Sequence, residues 1–132
     1  MCWVWENDAM SRFFNVRGFL DCDFEELRSV KSIVGRYRKL GAKFGLTDEI
    51  GELYSAGWLY QEREINWTAH AFFGASMRIQ GVEFVLAQIT RIAEELPGIE
   101  GMFLIDDDES SESLRWDVAS GVVRIAQGHQ RS

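Results

Sequence analysis

Ile65-Asn66-Trp67-Thr68-Ala69-His70-Ala71-Phe72-Phe73 opens the part of the chain whose reading decides the fold. The run is rich in aromatic and β-branched residues, which favour a pleated, half-buried surface. Gly74 and Gly81 bracket a predicted short turn, and Val82 to Leu96 follows as an amphipathic helix. Its apolar positions, Val82, Val85, Leu86, Ile89, Ile92, Ala93 and Leu96, recur at spacings of three, one and three, which makes one stripe. Pro97-Gly98 stops it. Gly101-Met102-Phe103-Leu104-Ile105 is a second apolar run, ending in the acidic Asp106-Asp107-Asp108-Glu109-Ser110-Ser111-Glu112. Leu114 to Ala119 alternates apolar and polar residues as a half-buried strand does. The order is strand, helix, strand, acidic turn, strand.

Working back toward the start, Phe13 to Leu20 reads as a first strand, with Trp3-Val4-Trp5 preceding or extending it. Asp23-Phe24-Glu25-Glu26 has the form of a capping box. Phe24, Leu27, Val30, Val34, Tyr37, Leu40 and Phe44 then make the apolar face of a first helix. Arg36, Arg38, Lys39 and Lys43 crowd its C-terminal half, where cations oppose the negative end of the helix dipole. Thr47 to Glu52 is a turn or a short helical turn, and Leu53 to Gln61 reads as a second strand. Ser120-Gly121 turns the chain into a short last strand from Val122 to Ile125, followed by a polar tail.

These elements predict an α+β fold: a two-layer domain spanning residues 1–132, with two helices on one face of an antiparallel or mixed sheet. The first six elements of the order β-α-β-β-α-β-β(-β) match the split βαβ arrangement of ferredoxin-like folds. Leu27, Val34, Val85, Ile89 and Ile92 are the expected core positions.

With 132 residues the chain is long enough to bury a core without disulfides or metal. Its net charge of −7 is uneven: residues 1–43 carry +2 and residues 44–132 carry −9. Phosphate repulsion argues against nucleic acid as a partner, and a field of this sign attracts a basic one. No stretch has the apolar length of a membrane helix, and the first residues lack a basic signal-peptide region. The expectation is a cytoplasmic protein without cofactor, its thiols Cys2 and Cys22 free, although a disulfide between them stays open.

The search for chemistry finds no nucleophile–base set, no phosphate-binding glycine loop and no zinc motif. His70, between Ala69 and Ala71, reads as a structural histidine, and His129 lies in the tail. The acidic run resembles a calcium-binding loop only in Asp106 and Asp108; Ser111 stands where the sharp turn needs glycine. Neither catalytic nor metal-binding residues are therefore predicted. The aromatics Trp58, Tyr60, Trp67, Phe72 and Phe73 lie on consecutive predicted strands, as crowded core or as an interface. Alternation sends Trp67 and Phe73 to one face and Phe72 to the other, so both faces carry apolar bulk.

The segment from Asn66 to Val123 resembles a family of bacterial immunity proteins, the antidotes encoded beside polymorphic toxins. The likeness lies in Asn66-Trp67-Thr68-Ala69-His70-Ala71, the amphipathic helix, and Leu96-Pro97-Gly98-Ile99-Glu100-Gly101 running on to Asp107-Asp108-Glu109. Gly101, the Asp107-Asp108-Glu109 turn and Gly121 fill the family's places, Gly57-Trp58 echoes its glycine-tryptophan strand, and Arg78 is what remains of its basic residues. The resemblance implies a non-catalytic inhibitor that neutralises one cognate toxin by binding it. A protein partner would then meet Asp106, Asp107, Asp108, Glu109, Glu112, Trp58 and Trp67; a homodimer is an open alternative. Two other readings compete: a phage-encoded inhibitor of a host defence complex, and a small-molecule-binding or enzymatic domain with a pocket near His70.

Overall fold

The computed structural model describes residues 12–107 and 113–127. Its centre is β1 (Phe14–Cys22), flanked on both sides by antiparallel partners, β3 (Ala69–Met77) and β4 (Glu100–Asp107). β2 (Trp58–Tyr60) continues the sheet beyond β3, and β5 (Ser113–Ala119) and β6 (Val122–Gln127) continue it beyond β4. The result is one six-stranded antiparallel sheet of order β2-β3-β1-β4-β5-β6. Among the described residues, no helix is long and apolar enough to cross a membrane.

Three α-helices accompany the sheet where two were expected. α1 (Phe24–Tyr37) starts at the predicted capping box: Asp23 accepts from the Glu26 backbone N–H at 2.7 Å, and Glu26 accepts from that of Asp23 at 3.0 Å. The apolar stripe does not continue to Phe44 as one helix; Arg38–Phe44 tightens into a 3-10 helix, which Gly45 ends in the left-handed region at φ 79°. α2 (Asp48–Ser55) occupies sequence read as a turn or short helical turn followed by the start of a strand. Thr47 accepts from the Ile50 N–H, and Asp48 and Glu49 fill the first turn, so cap and dipole both favour a helix there. The second strand shrinks accordingly to three residues. α3 (Ile79–Glu95) begins three residues earlier than predicted, with Gly81 inside it and Gly74 inside β3.

The core faces agree with the periodicity. Leu27, Val34, Val85, Ile89 and Ile92 are all buried. On the sheet, alternation sends Phe14, Val16 and Leu20 of β1 and Ala69, Ala71 and Phe73 of β3 into the same core. One cross-strand row of this face runs Trp58, Phe73, Gly18, Phe103, Trp116. Gly18 is required by its neighbours: a Cβ there would sit 2.5 Å from the Phe103 ring and 2.2 Å from the Met102 carbonyl oxygen. Its missing side chain lets the rings of Trp58 and Phe103 approach to 6.2 Å across it, edge to face.

Candidate protein-binding surface

The stretch read as the start of a strand, residues 65–68, is a hairpin tip. Ile65 and Thr68 exchange both backbone hydrogen bonds, at 2.9 and 3.1 Å. The two residues between them, Asn66 and Trp67, have φ of 49° and 75°. Two consecutive left-handed residues are the signature of a type I′ turn, which normally takes asparagine and then glycine. Asn66 suits its place. Trp67 does not, because a Cβ in this region crowds the following carbonyl. Its side chain is nevertheless 84% exposed, beside the exposed Ile65. The hairpin is tied to the body of the protein by Glu64, which accepts from the first N–H of α1, that of Phe24, at 3.1 Å.

The other tryptophan expected at an interface lies in the core. Trp58 is 5% exposed, donates its indole N–H to Gln88 Oε1 of α3 at 2.8 Å, and meets the Phe73 ring edge to face at 5.2 Å. This corrects its placement on a partner surface: burial with a satisfied N–H makes it a structural anchor. Trp67 and Phe73 do not share a face either, since Trp67 belongs to the turn and not to the pleat.

Asp106 and Asp107 also need correction as members of an acidic turn that meets a partner. Both belong to β4, and they are 3% and 1% exposed. Asp107 accepts from Arg12 Nη1 at 3.0 Å, and Asp106 accepts from Arg17 Nη2 at 3.1 Å and from Asn15 Nδ2 at 3.4 Å. Buried carboxylates need such partners, so these two hold the end of β4 against β1. Asp108, Glu109 and Glu112 lie outside the described residues, as do Cys2, the Trp3-Val4-Trp5 segment and His129.

The sheet face opposite the core row is open around β2, β3 and the middle of β1, while at one end of it Asp106 and Ser113 are buried. Leu59, Phe72, Phe19 and Met102 stand side by side across β2, β3, β1 and β4. Leu59, Phe72 and Phe19 are all exposed. His70 sits at the margin of this stripe, between the rings of Phe19 and Phe72. Its Nδ1 lies 3.0 Å from Gln61 Oε1 and its Nε2 lies 3.7 Å from Asp21 Oδ1. These groups orient an imidazole, and no hydroxyl or thiol is among them. Beside it Phe19, Asp21, Glu100, Met102 and Asp117 line a shallow depression of about 480 Å³. A separate groove of about 550 Å³ runs between Tyr37 and Phe44 on one side and Leu86 and Thr90 of α3 on the other.

No protein-family model, curated protein or solved structure matches the chain.

Among the described residues, no group of three or more His, Cys, Asp or Glu side chains is arranged to hold a metal ion. Cys22 is a buried free thiol. Burial, with help from the charges of Glu26, Asp23 and Asp21, pushes its pKa up to about 12. A thiol so poor in thiolate is a weak nucleophile. Sequence reasoning put Phe72 on the face opposite Phe73 but missed that Leu59, Phe19 and Met102 join it in one stripe, and it missed the hairpin tip. The signal for the stripe was present in the alternation of Phe19 and Phe72 against Leu20 and Phe73. The hairpin tip was masked by the β propensity of Ile65, Trp67 and Thr68.

Proposed function

We propose that the chain is a non-catalytic binding protein that acts by occupying the surface of a protein partner, as its resemblance to immunity proteins implies. The observation that supports this reading is Trp67, a large aromatic held in a left-handed turn conformation and presented to solvent. Residues in sparsely populated backbone regions cost stability and cluster at ligand clamps and active sites. Tryptophan is also the residue type most often found to dominate binding energy. The net charge of −7 favours a basic partner, for which a basic toxin is the reading that agrees in sign. The order β2-β3-β1-β4, with α1 leading into the β2 side and α3 joining β3 to β4, supports a ferredoxin-like reading of this part of the fold.

The test is capture from the source cells with two baits, the wild-type chain and Trp67→Gly, followed by affinity measurement on the protein retained. Glycine suits the turn, so the variant keeps the fold. Loss of a binding hot spot of about 2 kcal/mol or more corresponds to roughly a thirtyfold weaker complex. Equal affinity for both baits would overturn the role of Trp67. The competing pocket reading draws on one observation, the depression beside His70. His70→Gln should leave partner binding unchanged, whereas loss of activity in a folded variant would favour the pocket.

A further inference from the structure

We propose that the open sheet face is the interface of a symmetric dimer, with a second copy of this chain packed on it. Three adjacent cross-strand rows point to this arrangement, independently of the role given to Trp67. The middle row is the apolar stripe Leu59, Phe72, Phe19 and Met102. On one side of it the register places His70, Asp21 and Glu100 in line. On the other side it places Gly74, Arg17, Leu104 and Arg115 in line. An apolar stripe thus lies between an acidic row and a basic row.

A two-fold axis lying in the interface along the apolar stripe exchanges these flanking rows. Strand β1 of one copy then lies over β1 of the other. Phe19 and Phe72 meet their own counterparts, and Asp21 of each copy faces Arg17 of its mate, twice by symmetry. Gly74 opposite His70 leaves room for the imidazole. Both charges can reach across, since the Asp21 and Arg17 side chains are 49% and 55% exposed. Asp106, its diagonal neighbour on the same face, holds the Arg17 guanidinium through Nη2 at 3.1 Å. At the β5–β6 end, Asp117 is already paired with Arg115 at 2.9 Å and lies opposite Arg124 on β6. That end makes a charged rim.

The size also fits. Six strands about 4.8 Å apart, three to nine residues long at about 3.3 Å per residue, give a face of roughly 670 Å², within the roughly 600–1,000 Å² that each partner buries in a standard stable interface. Aligned packing of two such faces is the arrangement of β-sandwiches, with a mean distance of about 10 Å between the sheets.

The experiment is sedimentation velocity of the full chain, with circular dichroism as the check on folding. The wild type should sediment as a dimer of a 15.2 kDa chain. Phe72→Asp should be monomeric. Asp21→Arg, which sets a second guanidinium against that of Arg17 of the mate, should weaken the dimer tenfold or more. Arg17→Asp should do the same, and mixing Asp21→Arg with Arg17→Asp should restore a heterodimer. A monomeric wild type would overturn the proposal, as would a dimer that folded Phe72→Asp leaves intact. A dimer broken by Phe72→Asp, but with no rescue on mixing, would overturn the two-fold placement. If Arg17→Asp fails to fold, Asp21→Arg and Phe72→Asp still decide the matter.

Discussion

Two rows of side chains, one residue apart along the same strands, have opposite fates. Trp58, Phe73, Gly18, Phe103 and Trp116 point into the helices, while Leu59, Phe72, Phe19, Met102 and Asp117 point away from them. The strands and their pairing are the same, and both rows carry aromatic rings, four in the first and two in the second. The difference lies in what stands opposite. The first row faces the apolar stripes of α1 and α3 and is dry; the second faces solvent and is bordered by charge. Apolar character therefore does not by itself identify the core of this protein. The pleat and the helices decide which row folds the chain and which row is left for other work.

The largest expected effects lie on the inner side of that contrast. Ile89→Ala removes a fully buried side chain from the α3 stripe and should cost about 2–5 kcal/mol in denaturant unfolding. A cost under about 0.5 kcal/mol, the range typical of surface sites, would erase the distinction between the rows. Next is Gly18→Ala, which drives a methyl into the Phe103 ring and against the Met102 carbonyl oxygen. Overpacking of this kind should cost about 1–3 kcal/mol.

Alkaline titration sharpens the comparison further. Burial raises both Cys22 and Tyr60 to about 12 in the folded chain. The unfolded chain releases these protons first, near pH 8.5 for the thiol and about 10 for the phenol. Stability should therefore be intact below about pH 8.5 and fall as pH rises toward 12. Cys22→Ala should flatten that slope in unfolding curves taken between pH 8 and 11.

Smaller still is Trp67→Gly, which relieves a left-handed conformation costing about 1 kcal/mol and should leave the chain equally stable or up to that much more so. A destabilised variant would mean that the indole contributes to the fold. Least of all, Phe72→Ser on the open face should change the stability of an isolated chain by about 0.5 kcal/mol or less. Any larger loss, dependent on protein concentration, would report association through that face.

Much of this architecture is legible in sequence because it rests on local periodicity. The stripes through Leu27 and Val34 and through Val85, Ile89 and Ile92, the capping box at Asp23 and the Ser120-Gly121 turn are all where spacing and caps put them. The misreadings share a cause. Leu53, Tyr54, Trp58 and Tyr60 look like one strand, yet the cap at Thr47 gives the first two to α2. Trp67 looks like a strand residue, yet the hairpin gives it to a turn. Asp106 and Asp107 look like solvated turn residues because the arginines that neutralise them, Arg17 and Arg12, are about ninety residues away in sequence. The open stripe is equally non-local: Leu59, Phe72, Phe19 and Met102 become neighbours only when the strand order is known.

The central position of β1 has a consequence for how the chain is made. β1 is the first of the described strands to be synthesised, and its two partners, β3 and β4, come after most of the helices. At about 5–20 residues per second, several seconds pass before β4 can reach it. Both hydrogen-bonding edges of an apolar strand await partners until β3 is made, and one still does until β4 follows. The helices can form early from local contacts, but the sheet can close only late, and pairing over such separations is intrinsically slow. A chain stalled before Glu100 would keep one edge of β1 unpaired, with its apolar side chains within reach of any chaperone or neighbouring nascent chain.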